Sequence, residues 1–123
     1  MDKKQNLSVL IVDDNEINLM LMVDILEAVG VEDVQTFESG VKAVEAIKNN
    51  ARYDAILMDI CMPVMDGYET SLAMRELGYD GRIIALTANG LTPKDAKFLE
   101  AKMDDCLLKP VDIAELLKVL FPA

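Results

Sequence analysis

The chain contains no histidine and only two cysteines in 123 residues. Without imidazole, histidine-based metal centres and serine or cysteine nucleophiles activated by histidine are excluded. Cys61 and Cys106 are too few and too badly spaced for a zinc site. Both, with most of the eight methionines, read as packing residues. Long apolar runs are missing as well, since charge interrupts each one well before the roughly 18 residues a membrane span needs. No cationic segment leads into an apolar one at the start, so no signal peptide is expected, and residues 1–6 (MDKKQN) read as a solvated lead-in. The expected compartment is the cytoplasm. Basic residues are the scarcer charge, 12 against 22 acidic ones, for a net charge of −10. Their scatter argues against direct nucleic-acid contact, which needs a basic footprint.

What is present is core material, 52% hydrophobic residues, in a length that suits one domain over 1–123. Strand-like runs alternate with helical patterns five times, the signature of a parallel sheet covered on both faces. SVLIV (Ser8 to Val12) precedes a helix from Glu16 to Val29 that stops at Gly30, with Asp14 or Asn15 as its cap. Val34 to Phe37 reads as a second strand, followed by a helix from Ser39 through Ile47 that stops in Asn49-Asn50. Ala55 to Met58 leads through Asp59–Gly67 into a helix from about Tyr68 to Leu77, and Gly78 and Gly81 bracket the turn into Ile83–Leu86. Pro93 suits the first turn of a fourth helix running to about Ala101. After Cys106–Leu108, Asp112 and Glu115 fit a capping box that opens a last helix through Leu120. The expected fold is α/β: a (βα)5 doubly wound five-stranded parallel sheet in the flavodoxin-like order 2-1-3-4-5.

In that order, ligands sit at the switch point between the first and third strands. Those strands deliver Asp13-Asp14 and Asp59, while the fourth ends in Thr87 and the fifth in Lys109-Pro110. Three carboxylates in one crevice repel each other unless a cation neutralises them. Mg²⁺ suits hard oxygen ligands and usually keeps several waters. Asp14 and Asp59 are read as direct ligands, Asp13 as acting through a bound water, and the Cys61 backbone carbonyl as within reach. With no histidine-activated nucleophile, a carboxylate oxygen is the economical choice, as in aspartyl-phosphate chemistry. Lys109, aimed by a cis Lys109-Pro110 bond, would pair with phosphoryl oxygens, and Thr87 would donate a hydroxyl hydrogen bond to another. Taken singly, Asp59 reads equally as a strand-end cap, Thr87-Ala88-Asn89-Gly90 as an ordinary turn and Lys109 as a surface lysine. Their joint placement at strand ends is what favours chemistry.

The stretches LIVDDNEIN, AILMDICMPVMDGYET, IIALTAN and MDDCLLKPVD, in this order, resemble the receiver domains of two-component response regulators over almost the whole chain. The resemblance implies Asp59 as phosphoacceptor, and Asp13, Asp14 and Asp59 as the Mg²⁺ cluster. It also implies Thr87 as the switch hydroxyl and Lys109 as the phosphoryl-contacting lysine. DDNEIN, MPVMDGYET and CLLKP are similar to receivers attached to hybrid sensor kinases. The partner so implied is a histidine kinase or a histidine phosphotransfer domain, and the chain would stand alone or inside a larger kinase. Two positions depart from the family pattern. Cys106 stands where a rotating Tyr or Phe is common, and Lys102 where glycine commonly ends the fourth helix, so that helix is expected to end differently.

A helical wheel places Asn18, Met22, Ile25, Leu26 and Val29 inward and Glu16, Asp24 and Glu27 outward. Met20 and Val23 then lie among the acids, with Ile17 at the edge, and these three are the expected docking residues. A small Mg²⁺-dependent aspartate-nucleophile phosphohydrolase is the competing expectation. That chemistry needs a second acid two residues past the nucleophile, where Asp13 is followed by Asn15 and Asp59 by Cys61. A nucleotide or flavin binder lacks its phosphate loop after the first strand.

Overall fold

A computed structural model of the protein describes residues 7–88 and 96–121. The lead-in at 1–6, Asn89-Gly90 and Pro93 lie outside the described residues. The strands are β1 (Ser8–Val12), β2 (Asp33–Phe37), β3 (Ala55–Asp59), β4 (Arg82–Thr87) and β5 (Asp105–Leu108). Between and after them run α1 (Glu16–Ala28), α2 (Gly40–Lys48), α3 (Gly67–Glu76), α4 (Ala96–Glu100) and α5 (Ile113–Leu120). All pairings are parallel and the order is β2-β1-β3-β4-β5, as expected.

The two-residue period of a strand divides the core into two layers. Leu10, Val12, Ile56, Met58, Ile83 and Ala85 face the layer with Ala43 and Ile47 of α2, Met74 of α3 and Phe98 of α4. Val9, Ile11, Ala55, Leu57, Ile84 and Leu86 face Leu19, Met22 and Leu26 of α1 and Leu116 and Leu120 of α5. The central strands are therefore apolar at nearly every position, while edge strand β2 alternates exposed and half-buried residues. Truncating the fully buried Leu57 to alanine should cost about 2–5 kcal/mol, because the wall around it relaxes only in part.

Short polar residues start the helices. Asn15, Ser39, Asp66 and Asp112 each accept backbone N–H groups of the first turn through their side chains. The two-way capping box sits at α3, where Asp66 accepts from Glu69 N and Glu69 accepts from Asp66 N. At α5 the expected capping box is one-sided: among the described residues Asp112 accepts from Glu115 N, without the return bond to the Glu115 side chain that α3 has.

Two expectations need correction. Helix α4 does not end differently for want of glycine, since Lys102 itself adopts φ 57, the left-handed conformation glycine favours. Lys102 N donates to Leu99 O at 3.1 Å and Met103 N to Phe98 O at 3.4 Å, the paired bonds of a Schellman turn. In α1 the buried stripe is Leu19, Met22 and Leu26, which the wheel had not placed inward as a set. Val23 lies four residues after Leu19 and three before Leu26, so it flanks that stripe and packs half-buried against the core. Val23 is therefore not exposed as Ile17 and Met20 are, whereas Leu21 is, at 54%.

Candidate functional site

The order β2-β1-β3-β4-β5 places the carboxyl ends of β1 and β3 side by side, and each ends in acid. Asp13 follows β1 directly and is 1% exposed; Asp59 closes β3 and is 5% exposed. Asp14 lies beside them in solvent. One carboxylate oxygen from each of Asp13, Asp14 and Asp59 lies within 4.8 Å of the others. Lys109 spans the buried pair, its Nζ 3.0 Å from Asp59 Oδ1 and 3.3 Å from Asp13 Oδ2. The Lys109-Pro110 bond is cis, as expected. Lys109 N donates to Thr87 O at 2.8 Å, which ties the end of β5 to the end of β4, and Thr87 is itself buried.

The surrounding backbone fixes the acids. Asn15 N donates to Asp13 Oδ1 at 2.9 Å, while the Asn15 side chain accepts from Ile17 N and Asn18 N. One asparagine thus starts α1 and holds the preceding acid. Cys61 N approaches Asp59 Oδ1 at 3.4 Å. Cys61 is exposed, contrary to its expected packing role, because the chain leaves the sheet there to form the loop into α3. Cys106 packs half-buried against the core, as expected. In the same loop, Met65 N donates to Pro63 O at 2.9 Å around Val64, which has φ 70 and is 94% exposed. That is a γ-turn of the strained, positive-φ hand, rare for a β-branched residue.

Burial pushes the Asp59 carboxyl above its ordinary range; Asp13 adds to the rise, while Lys109 and the Cys61 N–H oppose it. Burial pulls the Lys109 ammonium down, but Asp59 and then Asp13 outweigh that and hold it above its ordinary range. Two buried carboxylates share one cation, so the pocket is short of positive charge. Oxygen donors in that state fit a hard divalent ion.

Beside Lys109 a cavity of about 410 Å³ opens between α1 and the segment after β5, lined by Asn18, Leu21, Met22, Ile25, Pro110 and Val111 among others. Elsewhere on α1, Ile17 and Met20 are 68% and 67% exposed. The sequence indicated Ile17 and Met20 but not Leu21, which a steeper helical phase anchored on Leu19 would have pointed outward.

The sequence pattern of the response regulator receiver domain matches residues 9–121. The chain belongs to that family, and so is a receiver domain of two-component signalling. It is 36% identical over 114 residues to Two-component system protein A of Emericella nidulans, covering 92% of this chain and 17% of that protein. It is 33% identical over 118 residues to Two-component response regulator 24 of Arabidopsis thaliana, covering 95% of this chain and 84% of that one. The chain thus spans under a fifth of the first relative and most of the second. Among solved structures it resembles the receiver domain of sensor histidine kinase PA1611 from Pseudomonas aeruginosa PAO1, crystallised with a magnesium ion coordinated in its active site cleft. The TM-score is 0.81, with 38% identity and 93% of each chain covered. No helix among the described residues is long and apolar enough to cross a membrane.

Proposed function

We propose that this domain accepts a phosphoryl group from a phosphohistidine of a partner protein onto Asp59. An oxygen of the Asp59 carboxylate forms the new bond to phosphorus as the histidine nitrogen–phosphorus bond breaks, and the nitrogen keeps the electron pair. The observation that carries this reading is the placement of Lys109 Nζ between Asp59 and Asp13, with Asp14 beside them. Asp13, Asp14, Asp59 and the Cys61 carbonyl would hold Mg²⁺, which neutralises the crowded negative charge when bound. Lys109 already touches the accepting carboxylate, so it is positioned to pair with phosphoryl oxygens as they arrive. Thr87, at the end of the neighbouring strand, supplies a hydroxyl to the same group. The chemistry served is the domain's own phosphorylation and its reversal. The domain works in the cytoplasm, alone or as one domain of a larger hybrid kinase, as PA1611 carries its receiver.

Incubation with a small acyl phosphate and Mg²⁺ should add one phosphoryl group, visible by intact mass. Asp59→Asn should abolish it, and undiminished labelling of that variant would refute the assignment.

The partner is a histidine kinase or a histidine phosphotransfer domain, and the exposed apolar rim of α1 supports docking there. Burying Ile17, Met20 and Leu21 would contribute roughly 1.5–3 kcal/mol per side chain, against ~0–1 for a surface ion pair. Substituting lysine at Ile17 and Met20 should slow transfer from a cognate phosphohistidine protein by at least tenfold, with small-donor labelling unchanged. Parental rates in both assays would remove α1 from the docking surface.

A further inference from the structure

Gly67 stands at the first position of α3 with no unusual φ to explain a glycine. Its surroundings explain it. A Cβ built there meets Asp59 O at 2.4 Å, Ile60 Cα at 2.8 Å and the Asp59 carbonyl carbon at 3.1 Å. These are backbone atoms of the strand end, not flexible side-chain tips, so an added methyl group must move the peptide joining Asp59 to Ile60. Gly67 N also donates to Ile60 O at 2.9 Å, in the next peptide, which draws the helix start onto the strand end. From its other side, Ile60 N donates to Leu86 O of β4. The peptide that carries Asp59 is therefore held between a strand and a helix, with the helix approaching as closely as glycine allows.

The helix end is itself anchored. Asp66 and Glu69 close the capping box, and Thr70 Oγ1 donates to Asp66 O at 2.7 Å. Behind Thr70 stands a second closely packed glycine, Gly40, whose Cβ would meet the Thr70 side chain at 2.0 Å (Oγ1) and the backbone Met65 O at 3.2 Å. The loop from Ile60 to Asp66 is thus held at two glycine contacts, one directly under the acceptor.

We propose that Gly67 is a positioning residue of the phosphoacceptor site, setting through the 59–60 peptide where the Asp59 carboxylate and the Cys61 peptide stand. This rests on the reading of Asp59 as acceptor. In the full chain, Gly67→Ala should raise the Mg²⁺ concentration that half-saturates the metal-induced melting shift. It should also slow labelling by a small acyl phosphate, each on the order of 10- to 100-fold, the range in which ångström misplacements act. Gly78→Ala is the control: Gly78 has φ +93 and open space around its Cβ position, so the substitution lowers the melting temperature through the backbone alone. It should leave both site readouts at parental values. Parental Mg²⁺ titration and labelling in Gly67→Ala would overturn the inference while Asp59→Asn still loses its label. A labelled Asp59→Asn would overturn the acceptor reading and this inference together. If Gly67→Ala does not fold, Glu69→Ala opens the capping box without adding an atom. It must then shift the Mg²⁺ titration in the same direction, and an unmoved midpoint overturns the inference.

Discussion

The two ends of the sheet carry similar residue types and use them in opposite ways. At the carboxyl end, Asp13 and Asp59 are buried around one ammonium, with a third carboxylate beside them. At the amino end, the guanidinium of Arg75 donates to Tyr79 O, Gly81 O and Lys102 O and pairs with Asp104 at 2.8 Å. Asp104 in turn accepts from Ile83 N, Tyr79 donates to Tyr53 O, and Arg82 donates to Val119 O and Leu120 O at the end of α5. Arg75, Arg82 and Asp104 each meet complementary groups there, and the contacts tie α3, α5 and the loops entering β4 and β5. One end spends polar groups on stability, whereas the other keeps like charges together, ready for an incoming cation and phosphoryl group.

The sharpest way to break this contrast is Arg75→Ala. It removes the donor of three carbonyls and leaves Asp104 only its bond from Ile83 N, and should cost roughly 2–4 kcal/mol in chemical denaturation. Labelling of Asp59 at a temperature where the variant is folded should proceed at the parental rate. A slowed reaction would show that the two ends are coupled. Asp14→Asn is the mirror experiment. The parent should gain about 2.7 kcal/mol at a Mg²⁺ concentration ~100 times its dissociation constant. The variant should show less than half that gain, with metal-free stability no lower than the parent's, since one of three crowded negative charges is gone. An equal metal-induced shift in both proteins would place the ion elsewhere. The smallest effect is expected from Lys102→Gly, which relieves a left-handed lysine and should stabilise by about 0.5–1 kcal/mol with no change in labelling. Destabilisation would show that the lysine side chain contributes more than its backbone strain costs.

Much of the carboxyl end was legible because strand ends are local. An apolar run closing in Asp59, Thr87 or Lys109 announces both the strand and the residue it delivers, and parallel topology then gathers the ends. The amino-end network was not legible, because Arg75 meets Asp104 and Lys102 across 29 and 27 residues through a guanidinium whose reach no periodicity encodes. Helix α1 sits between these cases. Its existence followed from spacing and its Asn15 cap, but its phase did not, since eight of its thirteen residues are large and apolar and several wheels fit equally. Leu19 broke the tie only once β1 and α5 were in place to receive it. Lys102 and Val64 show a further blind spot, since local hydrogen-bonded turns hold both at positive φ against their intrinsic preference.

The Asn15 turn carries a consequence for how such a domain changes over generations. Asp13 and Ile17 are four positions apart, yet the first is held by the main-chain N–H of Asn15 and the second projects into solvent. Mutations at Ile17, Met20 or Leu21 alter the surface proposed to meet a partner, while the hydrogen bonds that hold Asp13, from Asn15 N and Lys109 Nζ, remain. Duplicated copies of this chain can therefore drift apart in the company they keep while inheriting the same acid cluster unchanged.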